Sequence, residues 1–324
     1  MAVGNSNFTT LLTTTLSNLP SDIFDNVVTN NALLYLLKKK ENVKIVSGGH
    51  QFTQPLIFAA NSTFGVIGKY DPIPTTVQEN ATRSQWPVKI VAGSVAISDL
   101  EISMNSGDRE KLIDLAEEKI MEAEIGMSEI MGDQVFNTSF GANELDSLPK
   151  IISTTVSTDT NSVGGIDSSA TGQTYWRNYV YSTAVSAFGT SQAGLNAMDT
   201  TLNAATFGRM GPTAIITTKA VFTLYQLALT TNARYSSMEI GDAGFKTLQY
   251  ATLPVMFDDN CPSGRMYFVD TNSLRLQILS KGNNKKTELL QSHTQLLKLM
   301  LMNTYCNITC GSRRTQAVIA SITG

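Results

Sequence analysis

An α+β fold built around one long helix and a projecting hairpin is what this sequence predicts, on three observations. Residues 47–136 join two apolar-patterned strands through a long polar excursion. That excursion is followed by a single helical pattern with no proline. Beyond it, short β-branched runs alternate with helical stretches, the pattern of a mixed α/β domain.

The elements follow in chain order. Residues 1–42 read as an arm and a helix: Thr9 to Leu16 is Thr-rich with weak helix propensity, whereas Ser21 offers N-cap chemistry. Leu33, Leu34, Leu36 and Leu37 precede Lys38, Lys39 and Lys40. Such a segment fits a membrane-surface helix, but lysines at its C-terminal end also suit the helix dipole. Docking on a neighbouring chain or on the long helix is the preferred reading.

The excursion, residues 64–86, contains Gly65, Gly68, Pro72 and Pro74 and too few regularly spaced apolar residues to bury itself within one subunit. It needs a neighbour. A strand through Val95 follows, and then the helix 108–136, with Ile113, Ala116, Ile120, Ala123, Met127 and Ile130 at steps of three and four. At 1.5 Å per residue that helix is about 43 Å long.

Residues 143–190 turn polar and rich in Gly, Ser and Thr, and read as short strands, turns and loop leading into a second domain. A helix over 191–209 ends at Gly208 and Gly211-Pro212, a buried strand covers 213–218, and a second helix runs from Lys219 to Leu229. Strands are expected at 248–256, 266–269 and 274–279; 289–302 fits either a strand or a helix, and 316–323 reads as a closing strand.

Composition narrows the function classes. With 42% hydrophobic residues the 324-residue chain has the makings of an ordinary folded protein. No run approaches the roughly 18 to 20 apolar residues of a membrane span, and the N-terminus lacks the basic start and apolar core of a signal peptide. Cys261, Cys306 and Cys310 show no paired metal-type spacing, so reduced thiols are expected and neither a metal nor a cofactor is assigned. The formal charge of −3 argues against a free-standing nucleic-acid binder, although acids crowd 108–133 and bases predominate after Lys281.

Only His50 and His293 could serve a catalytic triad, and neither lies in a nucleophile elbow or a metal-binding helix motif. The glycine pairs Gly48-Gly49 and Gly164-Gly165 lack the Gly-Lys-Ser/Thr or Gly-x-Gly-x-x-Gly context of a phosphate cradle. No set of nucleophile, base and charge stabiliser assembles, so the chain is not expected to be an enzyme.

The order of these parts carries a resemblance. A hairpin excursion closing on Trp86-Pro-Val-Lys, a strand through Val95-Ala-Ile-Ser and an acidic spine-like helix resemble the tailed-bacteriophage major capsid proteins of the Hong Kong 97 fold. Asn31 to Lys40, Ser47-Gly-Gly-His, Tyr175-Trp-Arg-Asn178, Asp242-Ala-Gly-Phe245 and Asp258 to Phe268 extend the likeness along the chain.

The resemblance implies an N-terminal arm over 1–42, an extended hairpin loop at 64–86, a spine helix, a peripheral domain discontinuous in sequence (43–63 and 87–142, with a return over 286–324) and an axial domain over 143–285. It further implies a virion coat protein, assembled in the host cytoplasm into an icosahedral head around double-stranded DNA. The partners it implies are other copies in hexamers and pentamers, portal, scaffolding and decoration proteins, and DNA held without sequence specificity. Lys69, Tyr70, Asp71, Ile73, Val77, Arg83, Trp86, Phe24 and Leu34 are the expected inter-subunit contacts, and Lys69 is the formal candidate for the isopeptide cross-link some members form. An encapsulin-type compartment shares the fold, and a phage tail or surface-binding module is the reading from another class.

Overall fold

The computed structural model describes residues 31–100, 104, 109–158, 162–189, 192–229, 247–283, 285–286, 290–291 and 296–323. In chain order the elements are α1 (Ala32–Lys39), β1 (Val43–Val46), β2 (Gln51–Ile57), β3 (Ala81–Pro87), β4 (Lys89–Ser98), α2 (Arg109–Phe136), α3 (Leu148–Ile151), β5 (Tyr179–Tyr181), α4 (Ala193–Ala205), β6 (Ala214–Thr217), α5 (Lys219–Ala228), β7 (Thr247–Tyr250), β8 (Leu253–Phe257), β9 (Met266–Val269), β10 (Leu274–Leu279), β11 (Lys285–Lys286), β12 (Leu290–Gln291), β13 (Leu297–Cys310) and β14 (Ala317–Ile319). They form three sheets. The first runs β1-β10-β13-β11 with β4 and β12 also on β13, the second β5-β14-β9-β6-β8-β7, and the third is the hairpin β2-β3.

The α1 helix shows how local chemistry sets an element's ends. Asn31 Oδ1 accepts the N–H groups of Leu33 and Leu34 at 3.0 and 3.2 Å, and Asp258 Oδ2 accepts that of Ala32 at 3.3 Å. At the other end Glu41, at φ 56°, lets its N–H reach the Lys38 carbonyl and that of Asn42 reach Leu37, a Schellman closure. Leu33, Leu34, Leu36 and Leu37 are all buried in the chain's own core, beside Met131 and Val135 of α2. The leucines are therefore neither a membrane face nor an inter-subunit face.

The spine helix α2 matches its expected span to within one residue; of its expected inner row, the side chains of Ile113, Ala116 and Ile120 lie outside the described residues. Met127, Met131 and Val135 are buried at four-residue steps, whereas Ile130, assigned to the inner face, is 45% exposed. Ile130 borders a cavity of about 400 Å³ between α2 and β4, with Gly126 and Gly93 in its walls. A Cβ added at Gly126 meets nothing within 4 Å. Gly126→Ala should therefore stabilise the subunit by roughly 0.5–1 kcal/mol, because it removes glycine's entropic penalty in a helix at no steric cost. A urea titration checks the sign; a loss of stability would show that the helix uses glycine there.

Sheet membership shifts the expected domain boundaries at two places. Leu274–Leu279, expected in the second domain, pairs with β1 and β13 of the first sheet. Ala317–Ile319, expected to return to the first domain, pairs with β5 and β9 of the second. Besides the long passage from β4 to β5, the chain thus crosses between the sheets by two short segments, 270–273 and 311–316, and a buried polar network binds these two. Gln316 Oε1 accepts the Asp270 N–H at 2.9 Å, while its Nε2 donates to the Asp270 carbonyl and to Ser273 Oγ at 3.0 and 2.7 Å. Thr315 Oγ1 donates to Asp270 Oδ2 at 2.8 Å, and the buried Arg313 donates to the Ile151 carbonyl and Asn178 Oδ1.

Two further readings are corrected. The expected single strand at 248–256 is a hairpin, because Ala251 at φ 52° turns the chain between β7 and β8. Ile151, expected in an extended run, ends the short α3 turn, which Ser147 caps by accepting the Lys150 N–H.

Candidate assembly interface

The hairpin is made of two dissimilar parts. Its base, β2 and β3, pairs from Gln51↔Pro87 to Ile57↔Ala81. Phe52, Gln54 and Leu56 point inward from one strand and Ser84 and Trp86 from the other, the alternation a one-sided ribbon requires. Pro55 and Pro87 are tolerated because a two-stranded sheet has only edges.

The inward face is fastened to the body. Gln54 Nε2 donates to Thr309 Oγ1 at 2.6 Å, and Asn307 Nδ2 donates to the Pro87 carbonyl at 2.7 Å. The Trp86 indole N–H donates to Ser84 Oγ at 3.0 Å. Gly164, at φ 63°, lies so close over that ring that a Cβ would meet its Cζ2 at 3.0 Å, and its carbonyl accepts the Gln85 N–H at 2.8 Å. Gly164 is thus explained by close packing on Trp86, and Gly165 by its left-handed backbone at φ 75°.

Past the base the arms continue by separate bonds. Phe58 stacks on Tyr175 at 4.7 Å between centroids, its N–H reaches the Asn80 carbonyl at 3.0 Å, and Ser62 Oγ donates to Gln78 Oε1 at 3.0 Å. At the tip Asp71 Oδ2 accepts the Gly68 N–H at 2.7 Å, closing a turn over which Lys69 Nζ lies 5.3 Å from the Tyr70 ring centre. The outer loop keeps its apolar side chains in solvent: Phe64 is 86% exposed, Val66 107%, Tyr70 88%, Ile73 70% and Val77 90%.

The expected contact residues therefore divide. Lys69, Tyr70, Asp71, Ile73, Val77 and Arg83 are all exposed on the hairpin. Trp86 and Leu34 are not available to another chain, since each is fully buried in the core of its own subunit. Phe24 lies outside the described residues. Ile57 and Phe58, which the sequence reading passed over, are exposed apolar residues on the same projection; the signal for them was an apolar pair running on beyond the last inward position of β2.

His50 is exposed and His293 lies outside the described residues. Cys306 and Cys310 are buried on β13, and burial pushes both thiols up to about 12, so they stay protonated. Among the described residues no three His, Cys, Asp or Glu side chains are placed to hold a metal, and no helix is long and apolar enough to cross a membrane.

No family model and no curated protein matches the chain. Solved structures do match in three dimensions. The chain superposes on a protein of the cyanophage A-1(L) capsid asymmetric unit with a TM-score of 0.66 at 15% identity, covering 86% of this chain and 90% of that one. For the capsid of Myoviridae phage XM1 the TM-score is 0.56 at 8% identity, with 87% and 90% covered. For the holo-SrpI encapsulin complex from Synechococcus elongatus PCC 7942 it is 0.52 at 9% identity, with 88% and 87% covered. With helix α2 over a β13-centred sheet, a second mixed sheet and a projecting hairpin, the chain has the Hong Kong 97-type capsid fold.

Proposed function

We propose that this chain is the major capsid protein of a tailed phage, a structural subunit that assembles into the icosahedral head around double-stranded DNA. The observation that carries the reading is the hairpin, firmly anchored at its base yet presenting Phe64, Val66, Tyr70, Ile73 and Val77 to solvent. An anchored arm with an uncovered apolar face is stable in water only at a cost; burial of such side chains is worth roughly 1.5–3 kcal/mol each. A neighbouring copy supplies the cover.

A hairpin from one copy lying on the body of the next is a head-to-tail contact, and such contacts close into rings when the rotation permits. Several modest contacts per subunit add up through avidity, while each alone is weak enough to be corrected during assembly. Hexamers and pentamers, portal, scaffolding and decoration partners, and loose contact with DNA belong to the same reading, as do a place in the virion and assembly in the host cytoplasm.

Negative-stain microscopy of the purified chain tests it: closed shells of uniform diameter are expected, and a monodisperse monomer at high concentration would overturn it. The similarity to the SrpI encapsulin supports a second reading, a protein-filled compartment. Nuclease-protected DNA in particles from the native source favours the phage head; protein cargo without protected DNA favours the compartment.

A further inference from the structure

Beside the base of the hairpin, a lysine, an aspartate and an asparagine meet where the residue before the α3 cap bonds to β13. Lys150 Nζ lies 2.5 Å from Asp146 Oδ1. The other oxygen of that carboxylate, Oδ2, accepts from Asn307 Nδ2 at 2.7 Å. The Asn307 carbonyl oxygen in turn accepts two backbone N–H groups, that of Asp146 at 2.9 Å and that of Ile308 at 2.8 Å. Its amide nitrogen also donates to the Pro87 carbonyl at 2.7 Å. Asn307 is 0% and Asp146 3% exposed.

These positions supply the parts of an acyl transfer within one chain. Two N–H groups on Asn307 Oδ1 draw electron density from Cγ and would hold the negative charge of a tetrahedral intermediate. An amine stands on one oxygen of a buried carboxylate while the leaving nitrogen stands on the other, so a single group can take a proton from the first and give it to the second. We propose that Lys150 and Asn307 become joined by an isopeptide bond, with Asp146 as the proton carrier.

The step balances without any other reactant. Asp146 takes a proton from the Lys150 ammonium, and the neutral Nζ attacks Asn307 Cγ. The Nζ–Cγ bond forms, the Cγ–Nδ2 bond breaks, and Nδ2 leaves with two of the three ammonium protons as an ammonium ion, the third remaining on the new amide. Asp146 ends as the carboxylate it began as. The bond ties Lys150 to the central strand of the first sheet inside one subunit, and in forming it replaces the Asn307 nitrogen that donates to the Pro87 carbonyl at the hairpin base; it involves neither a second copy nor the exposed Lys69.

Intact mass spectrometry of the purified, denatured full-length chain tests it, with tryptic mapping. The expected result is a chain lighter than its sequence by one ammonia, no cleavage after Lys150, and a branched peptide joining the Lys150 and Asn307 side chains. K150R, which keeps the cation beside Asp146 but removes the nucleophile, should return to full mass. Full mass in the unaltered chain with normal cleavage after Lys150 would overturn the proposal. So would an ammonia loss that persists in K150R, because that loss would come from ring closure of Asn307 onto its own backbone.

Discussion

Replacing residues 64–77 by a short Gly-Ser turn between Thr63 and Gln78 should abolish shells while leaving a folded subunit. The removed residues contribute nothing to either hydrophobic core, whose members on this projection stop at Leu56 and resume at Trp86. The bonds that fasten the base, from Gln54 to Thr309, from Asn307 to the Pro87 carbonyl and from Gln85 to Gly164, all lie outside the deletion. Loop closure depends only weakly on length, so the change in subunit stability should stay within about 1 kcal/mol. The effect on assembly is far larger, because the five apolar side chains that a neighbour would cover disappear together. Size-exclusion chromatography with negative stain reads the outcome: soluble capsomer-sized or smaller species with an unchanged urea midpoint. Closed shells of normal diameter from the shortened chain would remove the hairpin from the assembly mechanism.

The hairpin was legible in the sequence because it is a local pattern. Apolar Phe52 and Leu56 four residues apart, a Gly- and Pro-punctuated excursion and a return at Trp86 are all read within one window. The spine helix was legible for the same reason, as were the two helices of the second domain, whose observed spans fall inside those expected. What window reading misses is partnership at a distance. Nothing near Trp86 announces that Gly164 will sit on its ring, and nothing near Leu34 says that its helix docks into its own subunit's core. The strand 274–279 looks the same whichever sheet receives it; its place was decided by β1 and β13, both far away in sequence. Lys150 and Asn307 were unremarked for a related cause, since the Asp146 carboxylate that brings them together becomes a bridge only once Asp146 bonds to Asn307 of β13, far away in sequence.

Gln316→Leu should cost the subunit about 3–5 kcal/mol, the largest stability loss expected from a substitution that keeps side-chain volume nearly unchanged. Leucine fits the space but makes none of the bonds. Gln316 is fully buried, and its loss leaves the Asp270 N–H and carbonyl, both in a buried residue, and the half-buried Ser273 Oγ without this partner. Each such orphan costs roughly 1–3 kcal/mol, and Ser273 can recover part of this because its hydroxyl also donates to the Asp270 carbonyl. Thr315→Val is the comparison. It removes the 2.8 Å bond to Asp270 Oδ2, while Asn272 still donates its N–H to Oδ1 at 3.0 Å, so about 1–2 kcal/mol is expected. Urea titrations should show both as lower midpoints with unchanged slopes, in that order of size. Gln316 bridges the two short crossings by which β9 leads to β10 and β13 leads to β14. A loss below about 1 kcal/mol for Gln316→Leu would mean that apolar packing alone holds the two sheets together.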